Sequence, residues 1–149
     1  MNRKTTSRWA PYLVAGVACL ALPALAATPR GLPPEQHEGS VGYLTGGIGK
    51  SEAHLFEHEM AKHPLAIELL EHSGKYEEFT ADAKIKIIDQ HGRTVLDAQA
   101  AGPFMLVDLP PGRYSIVATL KNDTMKKKDA WVRKGEVARA TFEFPAHTD

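Results

Sequence analysis

His54 and His58 stand four residues apart with Glu57 between them, in the run His54-Leu55-Phe56-Glu57-His58. On a helix that spacing puts both imidazoles on one face. Two imidazoles so placed can hold Zn2+, and Glu57 beside them has the chemistry of a general base for metal-assisted hydrolysis. Such a centre needs a further ligand from a second element, and no pattern in the chain supplies one. The same pair with His63 nearby suits a transport-type Cu2+, Ni2+ or Zn2+ site, since imidazole favours these metals. His72, His91 and His147 fall in expected turns or in the tail and read as solvated. The sequence therefore assigns no catalytic residue, no cofactor and no metal ligand. A metal-binding role through His54 and His58 stands as the alternative.

Two other short motifs resolve into scaffold. Gly47-Ile48-Gly49-Lys50-Ser51 ends like a phosphate loop, but the Gly required five residues before Gly49 is Leu44. Ser51 reads instead as a helix N-cap. There is no Gly-x-Ser-x-Gly elbow, and Ser40, Ser51, Ser73 and Ser115 have no evident base. Lys126-Lys127-Lys128 lies on an expected strand and reads as a solvated edge, where lysines deter sheet-to-sheet pairing. Trp131 is expected partly buried against the sheet. If exposed, it or Tyr76 would stack on a sugar ring, as in carbohydrate-binding sandwiches.

Composition narrows the classes further. The chain has 149 residues, with 18 basic and 18 acidic side chains, seven His and a single Cys. That length suits one domain, and a neutral balance argues against a nucleic-acid partner. Arg3, Lys4 and Arg8 precede an apolar run over 9–26 that closes on Ala24-Leu25-Ala26, the layout of a secretory signal peptide. Cleavage after Ala26 would leave no membrane span and place the protein in the periplasm or outside the cell. Cys19 would leave with the leader, so no disulfide is expected and stability must come from a packed core.

The elements that must position these residues follow from periodicity. Residues 27–40 read as a flexible linker, and 41–45 as a short edge strand before the glycines at 46, 47 and 49. A helix is expected over 51–62, with a thin apolar stripe of Ala53, Phe56 and Met60, ending at Pro64. From Leu65 the period becomes two. Strands are expected over 65–70, 83–87, 94–98, 104–109, 114–120, 125–132 (a polar one) and 138–144, with turns at Asp89-Gln-His-Gly92, Pro110-Pro111-Gly112, Asn122-Asp123 and Lys134-Gly135. Seven strands at about ten-residue spacing indicate an all-β, antiparallel sandwich with one short N-terminal helix.

Within that pattern, 83–118 resembles the carboxypeptidase regulatory-like domain, a transthyretin-like (prealbumin-like) Greek-key sandwich. The resemblance rests on Ile85, Ile87, Asp89, Gly92, Val95, Gly102, Phe104, Leu106, Leu109-Pro110-Pro111-Gly112, Tyr114 and Ile116. The flanking Tyr43-Leu-Thr-Gly-Gly-Ile-Gly with Glu52 and Met60 is similar to small exported bacterial proteins carrying this domain. The resemblance implies a sandwich over 65–146, preceded by a strand and helix over 41–64. It implies no activity. The hydroxyisourate hydrolases share the architecture, but their Tyr-Arg-Gly-Ser ending is absent from Phe144-Pro-Ala-His-Thr-Asp149. The expected function is a non-catalytic exported binding or accessory module acting through protein or envelope contacts. Ile85, Phe104, Leu109, Tyr114 and Phe142 are expected in one interior between two sheets.

Overall fold

The computed structural model describes residues 31–146, and the expected leader lies outside them. The element order is β1 Gln36–Glu38, β2 Val41–Gly46, α1 Lys50–Glu59, β3 Leu65–Ser73, β4 Tyr76–Phe79, β5 Lys84–Asp89, β6 Thr94–Gln99, β7 Phe104–Asp108, β8 Gly112–Leu120, β9 Asp123–Val132 and β10 Ala138–Phe144. A single 3-10 turn, Met60–Lys62, follows α1. One sheet, A, runs β1-β2-β7-β3-β10, and the other, B, runs β6-β5-β8-β9. β7 pairs with Leu65 to Glu68 of β3, and β4 with Leu70 to Ser73.

The described residues are all-β with one short helix, but the topology differs from the expected seven antiparallel strands. There are ten strands among the described residues, and sheet A is mixed, because β10 lies parallel to β3 from Leu65 opposite Ala138 to Glu71 opposite Phe144. β1 (Gln36-His-Glu) and β4 (Tyr-Glu-Glu-Phe79) are short and exposed throughout, so neither carries the apolar alternation that marks a strand in sequence. β1 falls within the stretch read as linker. β2 is interior rather than an edge, paired with both β1 and β7 and buried at every position.

Alternation builds the main core between the sheets. Ile85, Ile87, Leu96, Tyr114 and Ile116 of sheet B meet Leu65, Ile67, Met105, Phe142 and Phe144 of sheet A, and Leu109 closes one end. Phe104 departs from the expected interior. β7 carries the run Phe104-Met-Leu-Val107, buried at all four positions, as a strand covered on both faces must be. Its register sends Met105 and Val107 toward sheet B, and Phe104 and Leu106 to the opposite face. There they join Leu44, Ala66, Phe56 and Met60 in a second cluster.

That second cluster holds the helix. The rings of Phe56 and Phe104 stack with centroids 5.9 Å apart, and Ala53 packs at the margin. A ten-residue helix is too short to persist alone, so this stripe is what keeps α1 folded. The helix begins differently from the expectation at Ser51. Gly49, at φ 84°, occupies the N-cap position, its carbonyl accepting the Ala53 N–H at 3.0 Å, and no side chain caps the end.

Gly102 is fixed by contact. A Cβ there would collide with the Gly46 carbonyl, a backbone atom that cannot swing aside. Beside it the Ala101 N–H donates to the buried Thr45 Oγ1 at 3.0 Å. The segment entering β7 is thereby pressed onto the end of β2.

Phe56→Ala should lower the unfolding free energy by about 3–5 kcal/mol, the cost of an emptied aromatic site. Urea titration measures it. Amide exchange in α1 should accelerate while β5 and β8 stay protected; unchanged exchange in α1 would contradict docking through Phe56.

Candidate functional site

The histidines singled out by spacing do not converge. His54 and His58 are both exposed on α1, and His54 Nδ1 contacts its neighbour Glu57 Oε2 at 3.0 Å. His63 lies past the 3-10 turn, with only 11% of its side chain exposed, and its Nδ1 donates to Asp108 Oδ1 at 2.8 Å. Its Nε2 stands 3.9 Å from Glu59 Oε1. His63 thus ties the end of the helical segment to the end of β7. Among the described residues, no trio of His, Cys, Asp or Glu donors includes His54, His58 or His63. His72 also departs from its expected place in a turn: it stands on β3, opposite Glu77 of β4. His91 does occupy a turn, and His147 lies outside the described residues.

The lysine run lies on an edge, since β9 ends sheet B. Lys126, Lys127 and Lys128 are exposed. Tyr114 pairs with Ala130 but Ile116 with Lys127, so Lys128 and Asp129 together face one residue, Ser115, and Asp129 takes φ 57°. A bulged, lysine-bearing edge is a poor template for an added strand. Trp131 is more open than expected, at 54% exposed, with the Arg113 guanidinium 5.9 Å from its ring centroid. Tyr76 projects into solvent from β4.

Of the residues that carried the resemblance, Asp89, Gly92, Pro110, Pro111, Gly112 and Tyr114 gather at one end of sheet B, where their contacts are with neighbouring turn residues, whereas Gly102, Phe104 and Leu106 enter or lie on sheet A. The Asp89 carboxylate accepts the backbone N–H of His91 at 2.9 Å, the backbone N–H of Arg93 at 3.0 Å and Arg93 Nε at 2.8 Å. It thereby closes the β5–β6 turn. The Arg93 amide, opposed by partial desolvation and helped by the Arg93 guanidinium and the His91 amide, holds Asp89 below the usual carboxylate range. Opposite Asp89 in the β5–β8 pairing, the Tyr114 hydroxyl donates to the Pro110 carbonyl at 2.8 Å and braces the Pro110-Pro111-Gly112 turn. Burial, with the Asp89 charge as a second cause, pushes the Tyr114 phenol up. These groups satisfy one another and shape turns.

An apolar concavity lies elsewhere, between the loop joining β2 to α1 and the segment after β4. It is a cleft of about 420 Å3 walled by Ile48, Ala53, Phe79, Ala81 and Pro103, with Lys50 its single charged lining residue. Ile48 is 65% exposed and Phe79 52% exposed. The Phe79 ring rests on Phe104, centroids 5.1 Å apart, so the wall is rooted in the cluster beneath the helix. Sequence reasoning passed over both residues. The available signals were a large aliphatic isolated among glycines, in Gly46-Gly47-Ile48-Gly49, and an aromatic ending the acidic Glu77-Glu78 pair.

Comparison with protein-family models, with curated proteins and with solved structures finds no match. No helix among the described residues is long and apolar enough to cross a membrane.

The Asp89 turn supplies a pH test. Because folding lowers this carboxyl's pKa, its stabilisation is full above the unfolded value, about 3.9, and is lost as pH falls through the lower folded value. Thermal melts from about pH 7 to pH 2 should therefore show Asp89→Asn less stable than the parent at neutral pH, with the difference shrinking toward the acid end. Parallel melting curves across that range would contradict the assignment.

Proposed function

We propose that this protein is an exported, non-catalytic binding module whose contact surface is the Ile48–Phe79 cleft, and that its sandwich is of the carboxypeptidase regulatory-like, prealbumin-like kind. One observation carries the binding role: two large apolar side chains stand mostly in solvent over a concavity rooted in the core. An exposed apolar concavity of this sort marks a site of interaction. Its chemistry suits an apolar segment of a partner protein, with Lys50 available to an acid group at the margin. The blunted β9 edge turns that contact away from strand addition there. Export rests on the leader-like 1–26, and the sandwich family on the Asp89 and Pro110–Tyr114 motifs together with two packed sheets. A periplasmic or extracellular setting follows from that leader.

A second reading, carbohydrate binding, draws on the exposure of Trp131. Cell-wall glycans that stack on Trp131 would quench or shift its fluorescence; an unchanged spectrum across a glycan panel would remove the reading.

A photo-crosslinking amino acid placed at Ile48 should give discrete adducts in intact cells, and the same group at His91 should give none. Ile48→Glu should leave stability within about 0.5 kcal/mol, as expected for an exposed position, while a crosslinker at Ala81 in that variant should lose the adducts. Equal labelling from 48 and 91 would defeat the cleft as the contact surface.

A further inference from the structure

We propose that His72, Glu77 and Glu143 form a binding site for a divalent transition-metal cation on the helix-facing side of sheet A. The site lies apart from the cleft and does not depend on it. The three residues come from three neighbouring strands, β3, β4 and β10. His72 is directly opposite Glu77 in the β3–β4 pairing. Glu143 is opposite Leu70 on the other flank of β3, two residues from His72. Side chains alternate along strands, and Ala66, on the same parity of β3, faces the helix cluster. Leu70 and His72 therefore share that face, and Glu77 and Glu143 share it through their pairing. Their ligating atoms all lie within 4.8 Å of one another. Among the described residues, this is the one group of three such donors.

The donor set has a definite chemistry. One imidazole nitrogen with two carboxylate oxygens matches Zn2+ and its neighbours in the series better than the all-oxygen shells of Ca2+ or Mg2+. Bonds of about 2.1 Å in a tetrahedron place donors about 3.4 Å apart. All three side chains are exposed, so the two glutamates have room to close that distance. Three protein ligands leave the remaining coordination to water.

Charge favours the same occupant. Some surface carboxylates meet a cation, as Glu59 does with Lys62, Asp89 with Arg93, Asp97 with Lys84 and Lys86, and Glu136 with Arg133. Glu77 and Glu143, like exposed Glu38, Glu78 and Asp82, form no ion pair among the described residues. What sets Glu77 and Glu143 apart is that the fold brings the two like charges together beside an imidazole. A divalent cation ends that repulsion and bonds the imidazole at once. His54 and His58 contribute two nitrogens on a solvated helix, with His54 already engaged by Glu57.

Isothermal titration of the purified protein with zinc chloride tests the assignment, with calcium and magnesium chloride as controls. One equivalent of Zn2+ should bind with micromolar affinity, while Ca2+ and Mg2+ give little heat. His72→Ala, Glu77→Gln and Glu143→Gln should each weaken Zn2+ binding by about tenfold or more, the usual effect of losing a ligand-shell group, with unchanged metal-free melting. The double variant His54→Ala, His58→Ala should bind as the parent does. With Cu2+, electron paramagnetic resonance should report a single coordinating imidazole. No binding up to about 1 mM zinc, parent-like affinity in the His72 and Glu77 variants, or loss of binding only in the His54/His58 variant would overturn the proposal.

Discussion

Sheet A has no solvent-facing side at its centre, and most of the molecule follows from that constraint. A sheet buried on one face can keep polar residues on the other. β7 cannot, and its four consecutive apolar side chains divide between two clusters. Below it lies sheet B. Above it lies a helix too short to form without the sheet. Phe104 is the joint: it stacks on Phe56 of α1, supports Phe79 of β4 and is flanked in register by Gly46 of β2. Removing bulk at Gly46 and Gly102 lets β2 and the start of β7 approach closely enough for this layering. The cleft exists because the same arrangement runs out of cover at its end, leaving Ile48 and Phe79 half in water.

Most polar groups lie at the perimeter, buried Thr45 apart, and many are answered by a partner. Asp89 collects two amides and a guanidinium, His63 and Asp108 pin the helix to a strand end, and Thr45 receives the Ala101 amide. The exposed face of sheet B carries Lys84 and Lys86 clasped around Asp97. Several features are not answered in this way, among them the apolar walls at Ile48 and Phe79, the indole of Trp131, and the paired carboxylates beside His72.

The sandwich was legible where one face of a strand is buried. Tyr114, Ile116, Ala118 and Leu120 alternate in sequence and point inward in space. The docking stripe of α1 was equally readable from Ala53, Phe56 and Met60. Three kinds of information were not. Double-sided burial erases alternation, so Phe104 and Leu106 read like Leu109 although they face the other way. Short polar strands such as β4 have no pattern to read, and without β4 the neighbours of His72 cannot be known. Parallel pairing of β3 and β10 is a tertiary choice, and with it the nearness of Glu143 to His72. The His54/His58 spacing was plainly visible, yet spacing along one helix supplies only one side of a coordination shell.

The placement of β10 also bears on how the chain folds. Sheet B comes from the stretch 84–132, interrupted by β7, and its hairpins β5–β6 and β8–β9 close short loops. Sheet A must join β3 to β10 across the whole of that stretch, with Leu65 meeting Ala138. Loop closure across so many residues is entropically slow. Sheet B therefore offers a platform that forms early, while β3 waits with one long edge unpaired until the last strand arrives. Until β10 pairs, that edge of β3 is open to wrong pairing, the hazard that slow, long-range strand closure brings to β-rich chains.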